Sequence, residues 1–252
     1  MSDELDLLKR RFVELAKKSY NAGIFCFTDF LGLAEQAAFS EILPEIRGIP
    51  YSAFGGAFGA ERVMLRFGSE EECGYDAPFP IATLKIEPTS QKFADRLTHR
   101  DFLGAILNLG IERRCIGDIV ILDNVGYVFA EENIARFILE GLSRVRHTEM
   151  KLSIVEELPE GELYRTEERV VKVSSERVDA IIARVFSLSR EDAKVLFSKG
   201  LVFVNGKCVK SPDYTPKEEE KISVRGKGRM IYSGITSTSR KGKLNVLIEV
   251  YI

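Results

Sequence analysis

The stretch ERVDAIIARVFSLSREDAKVLFSKGLVFVNGKCVK, residues 176–210, decides how this chain is read. Val178, Ile181, Ile182 and Val185 recur at helical spacing and make one apolar stripe, with Arg177 and Arg184, seven apart, on another face. SLS breaks that helix. Ser189 then offers an N-cap with Asp192 three residues on, and the second helix carries Ala193, Leu196 and Phe197 inward. Arg190 and Lys194, four apart, are expected to project together from its surface. Gly200 ends the helix, and LVFVNGKCV is a strand pair turned by Asn205-Gly206. ISVRGKGRMIY and NVLIEVYI supply further strands.

The charge follows the same division. Residues 174–252 hold 15 Lys and Arg against 9 Asp and Glu, while the rest of the chain holds 21 against 29. A net charge of −2 therefore hides a basic module on an acidic body, the sign of a localised polyanion-binding face.

Upstream, residues 77–160 read as βαββαβ. IATLKIEP (81–88) is a strand. Thr98 or Asp101 starts a helix that Gly110 ends, and DIVIL and GYVFA are strands around an Asn124–Gly126 turn. Glu131–Leu142 is helical and 148–155 extended. That order is ferredoxin-like, shared with RNA-recognition motifs. Tyr127 and Phe129, two apart on one strand, are candidates for base stacking, although packing is the commoner use of such a pair. Arg100, Arg113 and Arg114 complete a candidate second RNA patch.

Residues 1–76 form an N-terminal α+β module. It has a helix through Phe12 and a second helix capped by Thr28 or Asp29. The Gly55–Gly59 segment reads as a tight turn rather than a phosphate loop, because it fits neither dinucleotide nor Walker spacing. The fold class is thus α+β in three small domains.

Residues 176–229 resemble the S-four RNA-binding domain, the αL motif of a small-subunit ribosomal protein, of several pseudouridine synthases and of bacterial tyrosyl-tRNA synthetases. Arg177-Val178-Asp179, Ser189-Arg190, Ala193, Lys199-Gly200 and Val202–Gly206 carry the likeness. Thr98–Gly110, Arg113–Ile119, Phe54–Arg62 and FTDFL near residue 28 extend it over nearly the whole chain to the YlmH family. The charged N-terminus, without an apolar signal segment, reads as that of a cytoplasmic protein, and the resemblance implies binding to structured RNA, ribosomal or transfer. It also implies association with the large ribosomal subunit carrying peptidyl-tRNA, a role in ribosome-associated quality control, and a genetic tie to cell division. The chain departs from the domain's pattern at one place. Glu219-Glu220-Lys221 stands where glycine and aspartate usually precede the last strand, so the turn must be made without glycine.

The RNA-binding residues expected on this basis are Arg177, Asp179, Arg184, Ser189, Arg190, Lys194, Lys199, Asn205, Lys207, Lys210, Arg225 and Lys227. Asp179 orients Arg177 or Arg190, and Ser189 is more often a cap than a ligand. Phosphate contacts of this kind position RNA without reading its sequence, and A-form RNA is recognised by shape.

Other chemistries are poorly provided for. His99 and His147 are the only histidines, and the four cysteines lie far apart with no CxxC pair, so no metal or cofactor is expected. His99-Arg100-Asp101 looks like a kinase catalytic loop, but Ile106 stands where that loop needs asparagine. The alternatives are an RNA-modifying enzyme of the pseudouridine synthase kind and a cell-division-linked interaction protein. About 75 residues per remaining module leaves little room for a catalytic domain, which favours a non-enzyme. No apolar run is long enough to span a membrane.

Overall fold

A computed structural model describes residues 2–57, 59–156, 158, 166–239 and 242–251. In chain order the elements are α1 (Ser2–Ala22), β1 (Cys26–Phe27), α2 (Leu33–Ile42), β2 (Tyr51–Phe54), β3 (Met64–Phe67), α3 (Glu70–Cys73), β4 (Ile81–Pro88) and α4 (His99–Leu107). There follow β5 (Ile116–Leu122), β6 (Val125–Glu131), α5 (Glu132–Gly141), β7 (Arg144–Val145), β8 (Thr148–Val155) and β9 (Thr166–Val173). The last are α6 (Val178–Val185), α7 (Arg190–Ser198), β10 (Val202–Val204), β11 (Lys207–Cys208), β12 (Glu220–Val224), β13 (Gly228–Thr238) and β14 (Leu244–Tyr251). The chain separates into two compact units, Met1–Leu163 and Tyr164–Ile252.

The first unit contains two sheets. A small one is ordered β1-β3-β2, and a larger one β5-β6-β4-β8-β7. In the larger sheet the two central strands, β4 and β6, pair antiparallel from Ile81↔Glu131 to Ile86↔Gly126, as a ferredoxin-like βαββαβ unit requires. β7 is an added edge strand. Leu84, Ile86, Ile116 and Val128 from the sheet pack on Phe102 and Ile106 of α4 and on Ala135 and Ile138 of α5. Thr98 caps α4 as its sequence predicts, with its backbone N–H donating to Asp101.

One expected cap fails. Neither Thr28 nor Asp29 caps α2, which starts after Gly32. The Thr28 hydroxyl instead donates to the Asp29 carbonyl and accepts the Leu65 N–H at 2.9 Å, which ties the β1 segment to β3. Glu35, one turn into α2, receives the Gly32 N–H in place of a capping side chain.

The Gly55-Gly56 turn is required on two counts. Gly56 has φ +94 and lies against the Phe129 ring, and a Cβ on Gly55 would fall on Ala60 and the Arg62 carbonyl. Phe58, within that segment, lies outside the described residues.

The second unit is one six-stranded sheet, ordered β11-β10-β12-β13-β14-β9, with α6 and α7 on one face. Val178, Ile181, Ile182 and Val185 are all buried, as the apolar stripe predicts, and they meet Val202, Ile222, Val224, Met230, Val246 and Ile248 of the sheet. At about 25 cal/mol per Å2 of apolar surface removed from water, this contact is what holds the two short helices in place. β10 and β11 turn at Asn205-Gly206, both with positive φ, the geometry that favours Asn-Gly in two-residue hairpins. β9 comes from residues that the sequence alone leaves unassigned. It pairs with β14 over eight residues, Val173↔Leu244 to Thr166↔Tyr251.

The glycine-free turn before β12 is made by Glu219 at φ +67. Glu220 is drawn into it, accepting hydrogen bonds from the Tyr214 hydroxyl at 2.8 Å and the Lys217 N–H at 2.9 Å. Burial and this carboxylate push the Tyr214 phenol up to about 12.

Candidate nucleic-acid interface

In the second unit one buried acid holds two arginines, Arg177 and Arg190. Asp179 sits in the first turn of α6 and is 0% exposed. The helix start is fixed by the loop before β12, where Val178 N–H donates to the Tyr214 carbonyl and Asp179 N–H to the Pro212 carbonyl. The Asp179 carboxylate accepts two hydrogen bonds from Arg177, at 3.1 and 3.3 Å, and one from Arg190 of α7 at 2.9 Å. Both guanidiniums remain more than a third exposed. A buried carboxylate bound by two cations is satisfied, while each guanidinium keeps donors to spare out of five N–H groups. Asp179 therefore cannot touch RNA itself. It fixes the aim of Arg177 and Arg190.

Ser189 caps α7, its hydroxyl oxygen accepting the Asp192 N–H at 3.0 Å and its hydroxyl donating to the Asp192 carboxylate. Arg190 follows this cap at the start of α7, and Arg184 stands in the last turn of α6. The two line a groove of about 550 Å3 with Lys172 from β9 and Lys243 from the turn before β14. Its floor includes Ala180 and Ala183, whose small side chains permit close approach, and Ser174 and Ser187 add hydroxyls. No carboxylate lines it among the described residues. Arg184, Lys172 and Lys243 make no salt bridge among the described residues, so their charge is not spent internally. Lys172 and Lys243 are not on the list that the sequence supports. They lie outside the helix pair, and only the β9–β14 pairing brings them to it.

The remaining expected residues separate from this groove. Lys194 turns to Glu191 at 3.0 Å rather than projecting with Arg190, because Asp179 draws Arg190 the other way. Asn205 accepts the Lys221 N–H and serves its own hairpin. Arg225 lies over the Phe203 ring, 4.5 Å from its centre, and so belongs to the sheet face away from the helices. Lys199, Lys207, Lys210 and Lys227 are exposed and do not line the groove.

The candidate second patch is not a surface for bases. Phe129 is 0% exposed and packs with Phe30 and Met64 in a small cluster joining the two sheets of the first unit, and Tyr127 is also buried. Arg113 is turned inward, donating to the Ile116 carbonyl and, at 3.1 Å, to the Gly117 carbonyl. Burial and the neighbouring Arg62 guanidinium bring Arg113 down to about 10. Arg114 is exposed and paired with Glu112 and Asp29. Arg100 is exposed at the start of α4. A larger groove of about 880 Å3 runs along α1, but Asp29, Glu131, Glu4 and Glu14 line it together with arginines, a mixture that suits no polyanion.

Comparison with known proteins places this geometry. Residues 75–158 match the family model of the RNA-binding domain in YlmH, and residues 176–222 match that of the S4 domain. The chain carries the RNA-binding domain of YlmH and, C-terminal to it, an S4 domain. Among its relatives, Ribosome-associated protein quality control protein P2 of Bacillus subtilis is 29% identical over 230 residues. That match spans 88% of this chain and 86% of the relative. An RNA pseudouridine synthase of Aquifex aeolicus is 36% identical, but over 75 residues only, 30% of this chain and 27% of the enzyme. Small ribosomal subunit protein uS4 of Borrelia turicatae is 32% identical over 89 residues, 34% of this chain and 43% of the relative. A solved structure, cell division protein ylmH from Streptococcus pneumoniae, is 23% identical. It covers 62% of this chain and 93% of its own, with a TM-score of 0.49.

Proposed function

We propose that this protein is a non-catalytic, ribosome-associated factor that grips structured RNA in the groove of Lys172, Arg184, Arg190 and Lys243. The observation that carries the reading is the groove's charge: Arg184, Arg190 and Lys243 line it together with Lys172 of β9, and no acid lines it among the described residues. Two neighbouring cations can bridge successive phosphates, and the small alanine floor lets a backbone come close. Such contacts position RNA by shape. The relative from Bacillus subtilis, named for ribosome-associated quality control and matched over most of both chains, supports the ribosome as the setting. The finer reading is that the RNA belongs to the large subunit and its peptidyl-tRNA. The match to the pseudouridine synthase covers about a quarter of that enzyme, which favours a shared RNA-binding module over shared chemistry.

The test is sedimentation of the full chain with purified large and small subunits, with and without bound peptidyl-tRNA, together with titration of an RNA hairpin. Arg184→Glu/Arg190→Glu should lower affinity at least tenfold, about 1.4 kcal/mol. If all four cations meet phosphates, log affinity against log salt should fall with a slope of about −3 to −4. A flat salt dependence, or unchanged binding in the reversal variant, refutes the groove. Co-migration with small subunits alone refutes the large-subunit assignment, and conversion of uridine to pseudouridine by the purified chain refutes the non-catalytic one.

A further inference from the structure

The sheet of the second unit has a second face, which the helices do not cover. Strand register places Cys208, Phe203, Ser223, Arg229 and Tyr251 in one row across β11, β10, β12, β13 and β14. None of these five is buried, whereas the alternate residues of the same strands, Val202, Val224, Met230 and Val250, form the core under α6 and α7. Two guanidiniums lie over aromatic rings of this row, Arg225 at 4.5 Å from the centre of Phe203 and Arg229 at 4.7 Å from the centre of Tyr251.

We infer that this row is a separate binding platform for unpaired bases of single-stranded RNA. An arginine over a ring is held by cation–π attraction, so its orientation is settled before any ligand arrives. Such a guanidinium, like an aromatic ring, offers a flat surface on which an unpaired base stacks, and its charge meets the adjoining phosphate. Phe203 and Tyr251 stand three strand spacings apart, about 14 Å, with the Ser223 hydroxyl between them. The row contains one arginine, Arg229, with Arg225 lying over its Phe203, and no acid among the described residues. In the next row Lys221 adds a cation, while Glu249, engaged by the hydroxyls of Thr166 and Ser233, stands beside the exposed Glu168 of β9. The platform is on the opposite side of the sheet from the helix groove, and it takes bases where the groove takes backbone.

The two faces are separable by experiment. The full chain is titrated with a single-stranded oligoribonucleotide carrying 2-aminopurine, and in parallel with an RNA hairpin. Stacking should quench the 2-aminopurine emission on binding. Arg225→Gln/Arg229→Gln should weaken single-strand binding about tenfold and leave hairpin binding within twofold. Arg184→Glu/Arg190→Glu should do the reverse. Tyr251→Leu keeps apolar bulk without the ring, and it serves if the arginine pair proves necessary for folding. It should abolish most of the quenching at an unchanged melting temperature. Binding without quenching, single-strand affinity that survives both platform variants, or no single-strand binding at all would overturn the assignment. The last result would leave the face, with Val170 and Leu247 further along it, to a protein partner.

Discussion

Each unit of this molecule surrounds an aspartate with two arginines, and the two arrangements are used in opposite ways. In the first unit the Asp118 carboxylate accepts the main-chain N–H groups of Glu61, at 2.7 Å, and Arg62, at 3.1 Å. The Arg62 guanidinium donates to the carbonyls of Ile116 at 3.0 Å, Phe30 at 2.8 Å and Arg113 at 3.4 Å. Arg113 is likewise tied to carbonyls. Burial holds both arginines below their ordinary pKa, with Asp118 offsetting part of that. Their donors are spent on the chain itself, and they join the β1–β3 segment to β5. In the second unit Asp179 is the buried member, and the arginines around it keep donors facing outward. An arginine's role is set by what fills its five donors, not by its charge.

The comparison breaks first at Arg62. Arg62→Ala strands several partly buried carbonyls and should cost about 3–5 kcal/mol of stability, read by urea denaturation, without lowering hairpin affinity in protein that remains folded. A loss below 1 kcal/mol would mean that the first-unit arginines are as spare as those of the second. Next comes Asp179→Asn, which keeps the shape but removes the charge that aims Arg177 and Arg190. About 2 kcal/mol of stability should go, with a several-fold fall in hairpin affinity even though no phosphate contact has been deleted. Affinity that rises instead, as expected from removing a negative charge near RNA, would show that Asp179 opposes binding rather than organising it. The smallest effect belongs to Lys194→Glu. The side chain is paired with Glu191 outside the groove, so hairpin affinity should move by less than threefold and the melting temperature hardly at all.

Local chemistry was legible where periodicity and turn residues dominate. The α6 stripe, the Ser189 cap, the Asn205-Gly206 hairpin and the βαββαβ order all follow from spacing alone. What the sequence hides is direction and long-range pairing. Arg190 and Lys194 share a helix face by spacing, yet a buried acid on α6 separates them. Tyr127 and Phe129 fall on neighbouring alternating positions, yet the strand carrying them is covered on both sides because the small sheet of the first unit packs near Phe129. Lys172 and Lys243 enter the groove only through a strand pair formed across the whole second unit. Charge patterning points to the second unit, but it does not choose between the two sides of that unit's sheet.

That strand pair also bears on how the protein is made. β14 is interior to its sheet, between β13 and β9, although it is the last strand of the second unit to leave the ribosome. Until it emerges, β9 has no partner and Lys172 has no fixed position, while α6 and α7 already have their local contacts. Pairings this distant along the chain are slow to close. A nascent copy therefore presents the helix pair well before the groove beside it is complete.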